Sequence, residues 1–177
     1  MESAPVKTKR KEYTSLSRLR VRVLMVREDT LPSTPTITIQ SPRDIFRVIT
    51  AETDLIDLDR EAIYSLFLDA RNKILGIEEV SVGTLNSTLV HPREVFKGAI
   101  LIGAAGLIIA HNHPSGDVEP STEDIELTKR LSRAGDIIGV ELLDHVIVSR
   151  KGFYSIKEKL PNLFEDGYKD SVSLNVK

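Results

Sequence analysis

The chain alternates between short apolar runs that favour β-strands and longer segments with a helical apolar period, and this order restricts its fold most strongly. The strand-like runs span residues 62–68, 74–82, 107–110, 140–148 and 153–156, and the helical segments span 42–50, 92–105 and 121–135. Strands that interleave with helices are typical of α/β proteins, in which helices cover a central sheet. We therefore predict an α/β fold of two or three layers.

Turn residues set the expected boundaries of these elements. A polar turn over 69–73 separates the first two apolar runs and favours a β-hairpin. Pro92 suits the first turn of a helix, and Gly106 is expected to end that helix. Ser121 is the expected start of the next helix, and Gly135 is its expected end.

The residue composition narrows the chemistry that is open to the chain. It has 177 residues and no cysteine, which excludes disulfides, thiolate metal sites and a cysteine nucleophile, and suits the cytoplasm. A transition-metal site must therefore use His, Asp, Glu and water. No apolar run approaches the roughly 20 residues that cross a bilayer, and no secretory signal is visible. We expect a cytoplasmic protein without membrane contact.

Positive charge is concentrated in the first 27 residues. They contain eight Lys and Arg against two Glu, whereas the rest of the chain contains 16 against 24 acidic residues. A basic arm can contact phosphates, so weak DNA binding is one hypothesis, although a solvated tail explains the same charges. We expect a basic extension over 1–40 with a candidate strand near 19–23, one domain over 41–160, and a polar tail over 161–177.

The segment from His111 to Asp124 carries the residues best suited to chemistry. His111 and His113 follow an apolar run, and an extended backbone places both imidazoles on one side of the strand. Asp124 falls in the first turn of the next helix, beyond a loop that contains Gly and Pro. Two His and one Asp with an open fourth position are typical of a catalytic zinc site.

Helix capping explains part of this segment without any metal. Ser121 and Asp124 have the spacing of a capping box, in which the serine and the acid bond each other's backbone N–H groups. A His-x-His pair on a strand is also often incidental. The two interpretations are compatible, because a capping serine can direct its hydroxyl toward a site.

The same residues carry a family resemblance. His111-x-His113-Pro, followed after seven residues by Ser121-x-x-Asp124, resembles the JAMM signature of the MPN/JAB zinc metallohydrolases. Further phrases resemble the RadC branch over residues 42–157, namely Gly83-Thr-Leu-Asn86, Val90-His-Pro-Arg-Glu-Val95, His111-Asn-His-Pro-Ser-Gly116, Glu119-Pro-Ser121 and Leu143-Asp-His-Val-Ile-Val148. The resemblance implies a cytidine-deaminase-like α/β sandwich with a mixed central sheet flanked by helices.

The resemblance also implies roles for single residues. Zinc (Zn²⁺) would be held by His111, His113 and Asp124, and Ser121 would hydrogen-bond the tetrahedral intermediate. The general base of the family is a glutamate just before the first core strand, and Glu61 is the matching position. Glu78 and Glu79 are alternatives near the far end of the second strand-like run.

The implied function is zinc-dependent hydrolysis of peptide or isopeptide-type amide bonds in an unknown protein or peptide substrate. Two alternatives stay open: a DNA-associated accessory protein, in line with the DNA-repair label of RadC proteins, and a zinc-dependent nuclease. RadC-like proteins usually carry an N-terminal helix-hairpin-helix region, and we do not expect one within residues 1–40, which are short and lack its Gly-rich hairpins. The insertions with which JAMM deubiquitinases grip ubiquitin have no counterpart between His113 and Asp124. The oligomeric state stays open.

Two further histidines need an interpretation. His145 lies within the apolar run 140–148, where we expect a core histidine satisfied by the backbone in preference to one that supports a metal ligand or contacts the substrate. His91 precedes Pro92 and is expected to cap a helix or form a turn. Neither is placed in the catalytic set.

Overall fold

A computed structural model of the protein describes residues 37–83 and 90–164. It confirms the predicted α/β fold, because five strands form one mixed sheet that is flanked by helices. In chain order the elements are α1 (Pro42–Glu52), β1 (Ala62–Leu68), β2 (Ile74–Val82), α2 (Pro92–Ile102), β3 (Gly106–Asn112), α3 (Thr122–Ile138), β4 (Glu141–Ser149), β5 (Gly152–Ser155) and α4 (Ile156–Lys159). Two 3₁₀ turns, Leu55–Asp57 and Pro161–Phe164, lie between or after them.

The sheet has the order β2-β1-β3-β4-β5. β1 pairs antiparallel with β2 and with β3, so the predicted hairpin is confirmed. β3 and β4 are parallel, with α3 between them in the chain, and β5 returns antiparallel to β4. Every residue of β1 and β3 is buried, which explains why these runs lack the polar alternation of a half-exposed strand.

Helices cover both faces of the sheet. One face packs against α1, and the other packs against α2 and α3 through residues such as Phe96 and Leu127. Side chains alternate along β3, so Ile109 and His111 point toward the face of α2 and α3, and Asn112 points toward the face of α1. This alternation determines on which face of the sheet each polar side chain at the end of β3 lies.

The predicted end of α2 was wrong. The helix ends at Ile102, and Gly103 adopts a left-handed backbone with φ of 71° while its N–H bonds the carbonyls of Ala99 and Ile100. Gly106 begins β3, where a Cβ would lie 2.9 Å from the Leu143 side chain. In the sequence, Gly103 and Gly106 are equally compatible with a helix end. Only the backbone angles show that the helix ends at Gly103.

The predicted end of α3 was also wrong. The helix continues through Gly135 to Ile138 and ends at Gly139, whose φ is 80°. Gly135 serves packing instead, because a Cβ there would lie 2.6 Å from the backbone oxygen of Val140. The predicted end of the last strand also differs by one residue. Ile156 begins α4 rather than ending β5, because Ser155 caps that helix by accepting from the N–H of Glu158.

Some expectations fall outside the described residues. They include the candidate strand near 19–23, the basic arm and most of the tail over 161–177. Within the described ranges, no helix has both the length and the apolar character needed to cross a membrane.

Candidate metal centre

The two histidines of the motif lie at the end of β3. His111 is the sixth residue of the strand, 1% exposed, and pairs in register with Ile63 of β1 and Ile147 of β4. His113 follows the strand, but its N–H still bonds the carbonyl of Val148 at 3.2 Å, which continues the sheet by one residue. The backbone therefore stays extended, and both imidazoles reach the same side, as the sequence predicts.

Asp124 reaches these rings from the first turn of α3. Ser121 is the N-cap of that helix, and a complete capping box joins it to Asp124: the serine hydroxyl accepts from the N–H of Asp124, and the carboxylate accepts from the N–H of Ser121 at 2.8 Å. The serine hydroxyl also donates to Asp124 Oδ2 at 2.7 Å. Capping thus orients the carboxylate toward the histidines, so the two interpretations of this segment hold together.

The distances between the three candidate ligands fit a metal ion. His111 Nε2 lies 3.0 Å from His113 Nε2 and 3.2 Å from Asp124 Oδ1, and His113 Nε2 lies 3.4 Å from Asp124 Oδ2. Ligands at about 2.0–2.1 Å from a tetrahedral zinc ion are about 3.3–3.4 Å apart. The three side chains therefore form a group that can hold a metal ion without a large rearrangement.

Electrostatics in the group favour a charged carboxylate. Burial alone would raise the pKa of Asp124, but the imidazoles of His111 and His113, whose protonated forms can donate to the carboxylate, outweigh it and hold that pKa far below its usual range. The hydrogen bond to Asp124 raises the pKa of His113, although partial burial opposes this. A buried anion that faces two ring nitrogens is the charge arrangement a divalent cation needs.

A backbone carbonyl fixes the orientation of His113. Its Nδ1 lies 2.7 Å from the oxygen of Asp117, which can only accept a hydrogen bond. Nδ1 therefore carries a proton, and in the neutral ring Nε2 is the free nitrogen. This is the nitrogen that faces His111 and Asp124.

The group opens into a cleft of about 450 Å³. Its lining residues are Glu61, Ile63, His113, Ser115, Asp117, Glu119, Ser121, Glu123, Asp124 and Leu127. The lining thus includes Glu61 and Ser121 as well as two of the candidate ligands. A molecule in this cleft can contact all four of these side chains.

The structure separates the three glutamates considered as the general base. Glu61 lines the cleft and acts electrostatically on His113. Glu79 accepts a hydrogen bond from the Tyr64 hydroxyl at 2.8 Å, and Tyr64 packs in the cluster on the α1 face. Glu78 lies beside Gly98 of α2, where a Cβ would meet its Oε2. Only Glu61 of the three lines the cleft, and its role as base stays a prediction.

Asn112, which the sequence analysis did not single out, holds the backbone on both sides of Glu61. Its Oδ1 accepts from the N–H of Ala62 at 2.7 Å, and its Nδ2 donates to the carbonyl of Arg60 at 3.0 Å. The side chain is on the opposite face of β3 from His111 and is 2% exposed. Its partners are about fifty residues away in the chain, so no local pattern could have indicated the contact.

His145 is a core histidine, as expected, but the expected backbone partner was wrong, because side chains satisfy its ring. Nε2 lies 2.8 Å from His111 Nδ1, and Nδ1 lies 2.6 Å from the hydroxyl of Thr128. The ring is fully buried, which lowers its pKa to about 3. The sequence analysis also missed Thr128, although it follows Asp124 by four residues and so shares its helix face.

His91 occupies the N-cap position of α2, as expected.

Comparisons with a family model and with curated relatives agree on one family. A family model described as "RadC-like JAB domain" matches residues 39–161. A UPF0758 protein of Desulforamulus reducens is 50% identical over 129 residues, which cover 73% of this chain and 56% of the relative. A UPF0758 protein of Moorella thermoacetica is 51% identical over 121 residues, covering 68% and 52%, and one of Clostridium botulinum is 46% identical over 123 residues, covering 70% and 53%. The chain spans about half the length of the curated relatives it matches.

Proposed function

The chain belongs to the RadC family of JAB-domain proteins, and from this membership we propose that it is a zinc-dependent hydrolase of peptide or isopeptide-type amide bonds. The supporting observation is the convergence of His111 Nε2, His113 Nε2 and an Asp124 oxygen, 3.0 to 3.4 Å apart, beside a cleft that Glu61 also lines. Two nitrogens and one oxygen form a donor set that zinc accepts readily.

The protein's own residues would divide the chemistry between them. A zinc ion held by His111, His113 and Asp124 would polarise the substrate carbonyl and lower the pKa of a water molecule to about 7. Glu61 would take the proton from the attacking water and pass it to the leaving nitrogen. Ser121 would turn its hydroxyl from Asp124 toward the developing oxyanion, since Ser121 lines the cleft.

The charge of the cleft supports a cationic substrate. Besides Glu61 and Asp124, its described lining includes Asp117, Glu119 and Glu123, and it includes no Lys or Arg. A cleft lined by one sign of charge concentrates ligands of the opposite sign. We propose a protein or peptide whose cleaved bond lies near Lys or Arg. The same charges repel phosphates, and a single carboxylate ligand suits a two-metal nuclease poorly.

Metal analysis of the purified chain tests the zinc site. The wild-type protein should contain roughly one zinc ion per chain, and His113→Ala should lose it because only two ligands remain. His91→Ala is the matched control, since His91 is an exposed histidine at the start of α2. Equal zinc contents in the wild type and in His113→Ala would contradict the proposal.

Hydrolysis assays on basic peptides and on lysine-linked isopeptides test the reaction. Glu61→Gln should keep its zinc and lower kcat by about 10²- to 10⁴-fold, because it removes the proton acceptor and keeps the size of the side chain. A Glu61→Gln variant with full activity would exclude Glu61 as the base. Zinc-loaded wild-type protein without hydrolysis on any of these substrates would refute the proposed reaction.

A further inference from the structure

His145 and Thr128 form a buried chain of hydrogen bonds behind the candidate metal ligands. The chain runs from the backbone carbonyl of Asp124 to the Thr128 hydroxyl at 2.7 Å, then to His145 Nδ1 at 2.6 Å, and from His145 Nε2 to His111 Nδ1 at 2.8 Å. All four residues are buried. This hydrogen-bond chain links the first turns of α3 to β4 and then to β3.

The direction of each bond follows from the carbonyl at the start of the chain. A carbonyl oxygen can only accept, so the Thr128 hydroxyl donates its single proton to Asp124. The oxygen of Thr128 must then accept from His145, and this requires a proton on His145 Nδ1.

The tautomer of His145 follows from the partners of its two ring nitrogens. His145 is 0% exposed, and its two ring nitrogens face the Thr128 hydroxyl and His111 Nδ1. A neutral ring with a proton on Nδ1 has a bare Nε2. That nitrogen can only accept, and the proton in its bond with His111 must lie on His111 Nδ1.

The last bond determines which nitrogen His111 offers to a ligand. With its proton on Nδ1, the neutral His111 ring has a free electron pair on Nε2, which faces His113 Nε2 and Asp124 Oδ1. We propose that Thr128 and His145 are positioning residues that fix the tautomer and the ring orientation of His111 and so prepare its Nε2 to bind a divalent metal ion. The part of this inference that concerns metal affinity rests on the proposed function.

The arrangement also ties the ligands to one another. Asp124 supplies a carboxylate oxygen to the group and, through its backbone carbonyl, starts the chain that orients His111. A shift of the first turn of α3 would therefore disturb both ligands together. Partners behind a metal ligand raise its affinity for the ion by holding one geometry.

The first test reads the tautomer in the metal-free wild-type protein. Two-bond ¹⁵N–¹H correlations of the imidazole rings should show the proton of His111 on Nδ1 and that of His145 on Nδ1. A proton on His111 Nε2 in the neutral ring would overturn the proposal. This measurement needs no variant, metal or substrate, so its outcome is independent of the proposed hydrolysis.

The second test compares two substitutions of Thr128. Thr128→Val removes the hydroxyl and keeps the shape, and it should weaken zinc binding by about 10- to 100-fold in a competition assay with a chromogenic chelator. Thr128→Ser keeps the hydroxyl and should bind zinc within about threefold of the wild type. Equal zinc affinities of the two variants would refute the positioning role.

Spectroscopy separates positioning from a general loss of structure. Cobalt(II)-loaded Thr128→Ser should reproduce the wild-type visible absorption spectrum, and Thr128→Val should shift it, because the geometry of the His111 ligand changes. If Thr128→Val does not fold, the tautomer of His111 in wild-type protein decides the question. A wild-type chain with the expected tautomers and no affinity for zinc would leave the hydrogen-bond chain in place and refute the proposed function alone.

Discussion

Single residues at the end of β3 serve two sides of the sheet. His113 lines the cleft and His111 lies buried on the same side of β3, whereas Asn112 between them faces the segment that carries Glu61. The period of two along a strand makes this division possible within three successive residues. One tripeptide thereby holds two candidate metal ligands and the backbone on both sides of the candidate base.

Replacement of Asn112 should separate the position of Glu61 from metal binding. Asn112→Ala leaves the buried N–H of Ala62 without its acceptor, which should cost about 1–3 kcal/mol of unfolding free energy. Because Glu61 loses its support, kcat should fall, by up to about 10²-fold for a displacement near 1 Å.

Zinc content and urea unfolding provide the controls for this substitution. Asn112→Ala should keep its zinc, since the side chain points away from His111. Activity equal to the wild type in a folded variant would show that Asn112 does not position the base.

At the scale of elements, α3 organises the candidate site. Its N-cap and first turn supply Ser121 and Asp124, and Thr128 follows one turn later on the same face. Near its C-terminal end, Gly135 lies against the backbone at the start of β4. The helix therefore packs closely enough for Thr128 to reach His145 on that strand.

Gly135→Ala should destabilise the protein by forcing α3 away from β4. The added Cβ would lie 2.6 Å from the oxygen of Val140 and 3.4 Å from the Phe96 ring, and overpacking of this kind costs about 1–3 kcal/mol. Because the displacement also moves Thr128, zinc affinity should fall as well.

Asp136→Ala is the matched control, because Asp136 is exposed and its neighbour in the same helix turn. Its unfolding free energy should stay within about 0.5 kcal/mol of the wild type in urea titrations. If both variants unfold at the same urea concentration, the close approach of α3 has no energetic weight.

At the scale of the whole molecule, charge divides the sequence into a basic N-terminal part and an acidic remainder. Residues 1–27 contain eight basic residues, whereas the described cleft lining contains five carboxylates. Phosphates are therefore repelled from the cleft, and we propose the basic arm as the segment that contacts DNA.

Replacement of the basic residues near the N-terminus tests this contact. A variant with Gln at Lys7, Lys9, Arg10 and Lys11 should weaken DNA binding and reduce the slope of log affinity against log salt by roughly 0.9 for each phosphate that the arm no longer neutralises. Lys129→Gln, which changes an exposed residue of α3, is the control and should leave the DNA affinity and the salt slope unchanged. Identical salt slopes for the wild type and these two variants would exclude the arm as a DNA-binding segment.

Much of the fold could be predicted because it depends on local patterns. The bounds of β1 and β2, the start of α2 and the N-cap of α3 coincide with the predicted ones, since apolar runs, Pro92 and Ser121 act within a few residues. The ends of α2 and α3 could not be predicted. Each region offers more than one glycine, and packing decides which of them adopts a left-handed backbone.

The candidate site divides in the same way. The grouping of His111, His113 and Asp124 follows from strand alternation and a helix cap, and both are determined by the sequence because they involve neighbours in the chain. The contacts of His145 and Asn112 were decided by the tertiary structure alone. They depend on the parallel register of β3 with β4 and on the return of residues 58–62 beside β3, and a hydrogen bond between such distant segments forms only where the whole sheet aligns them.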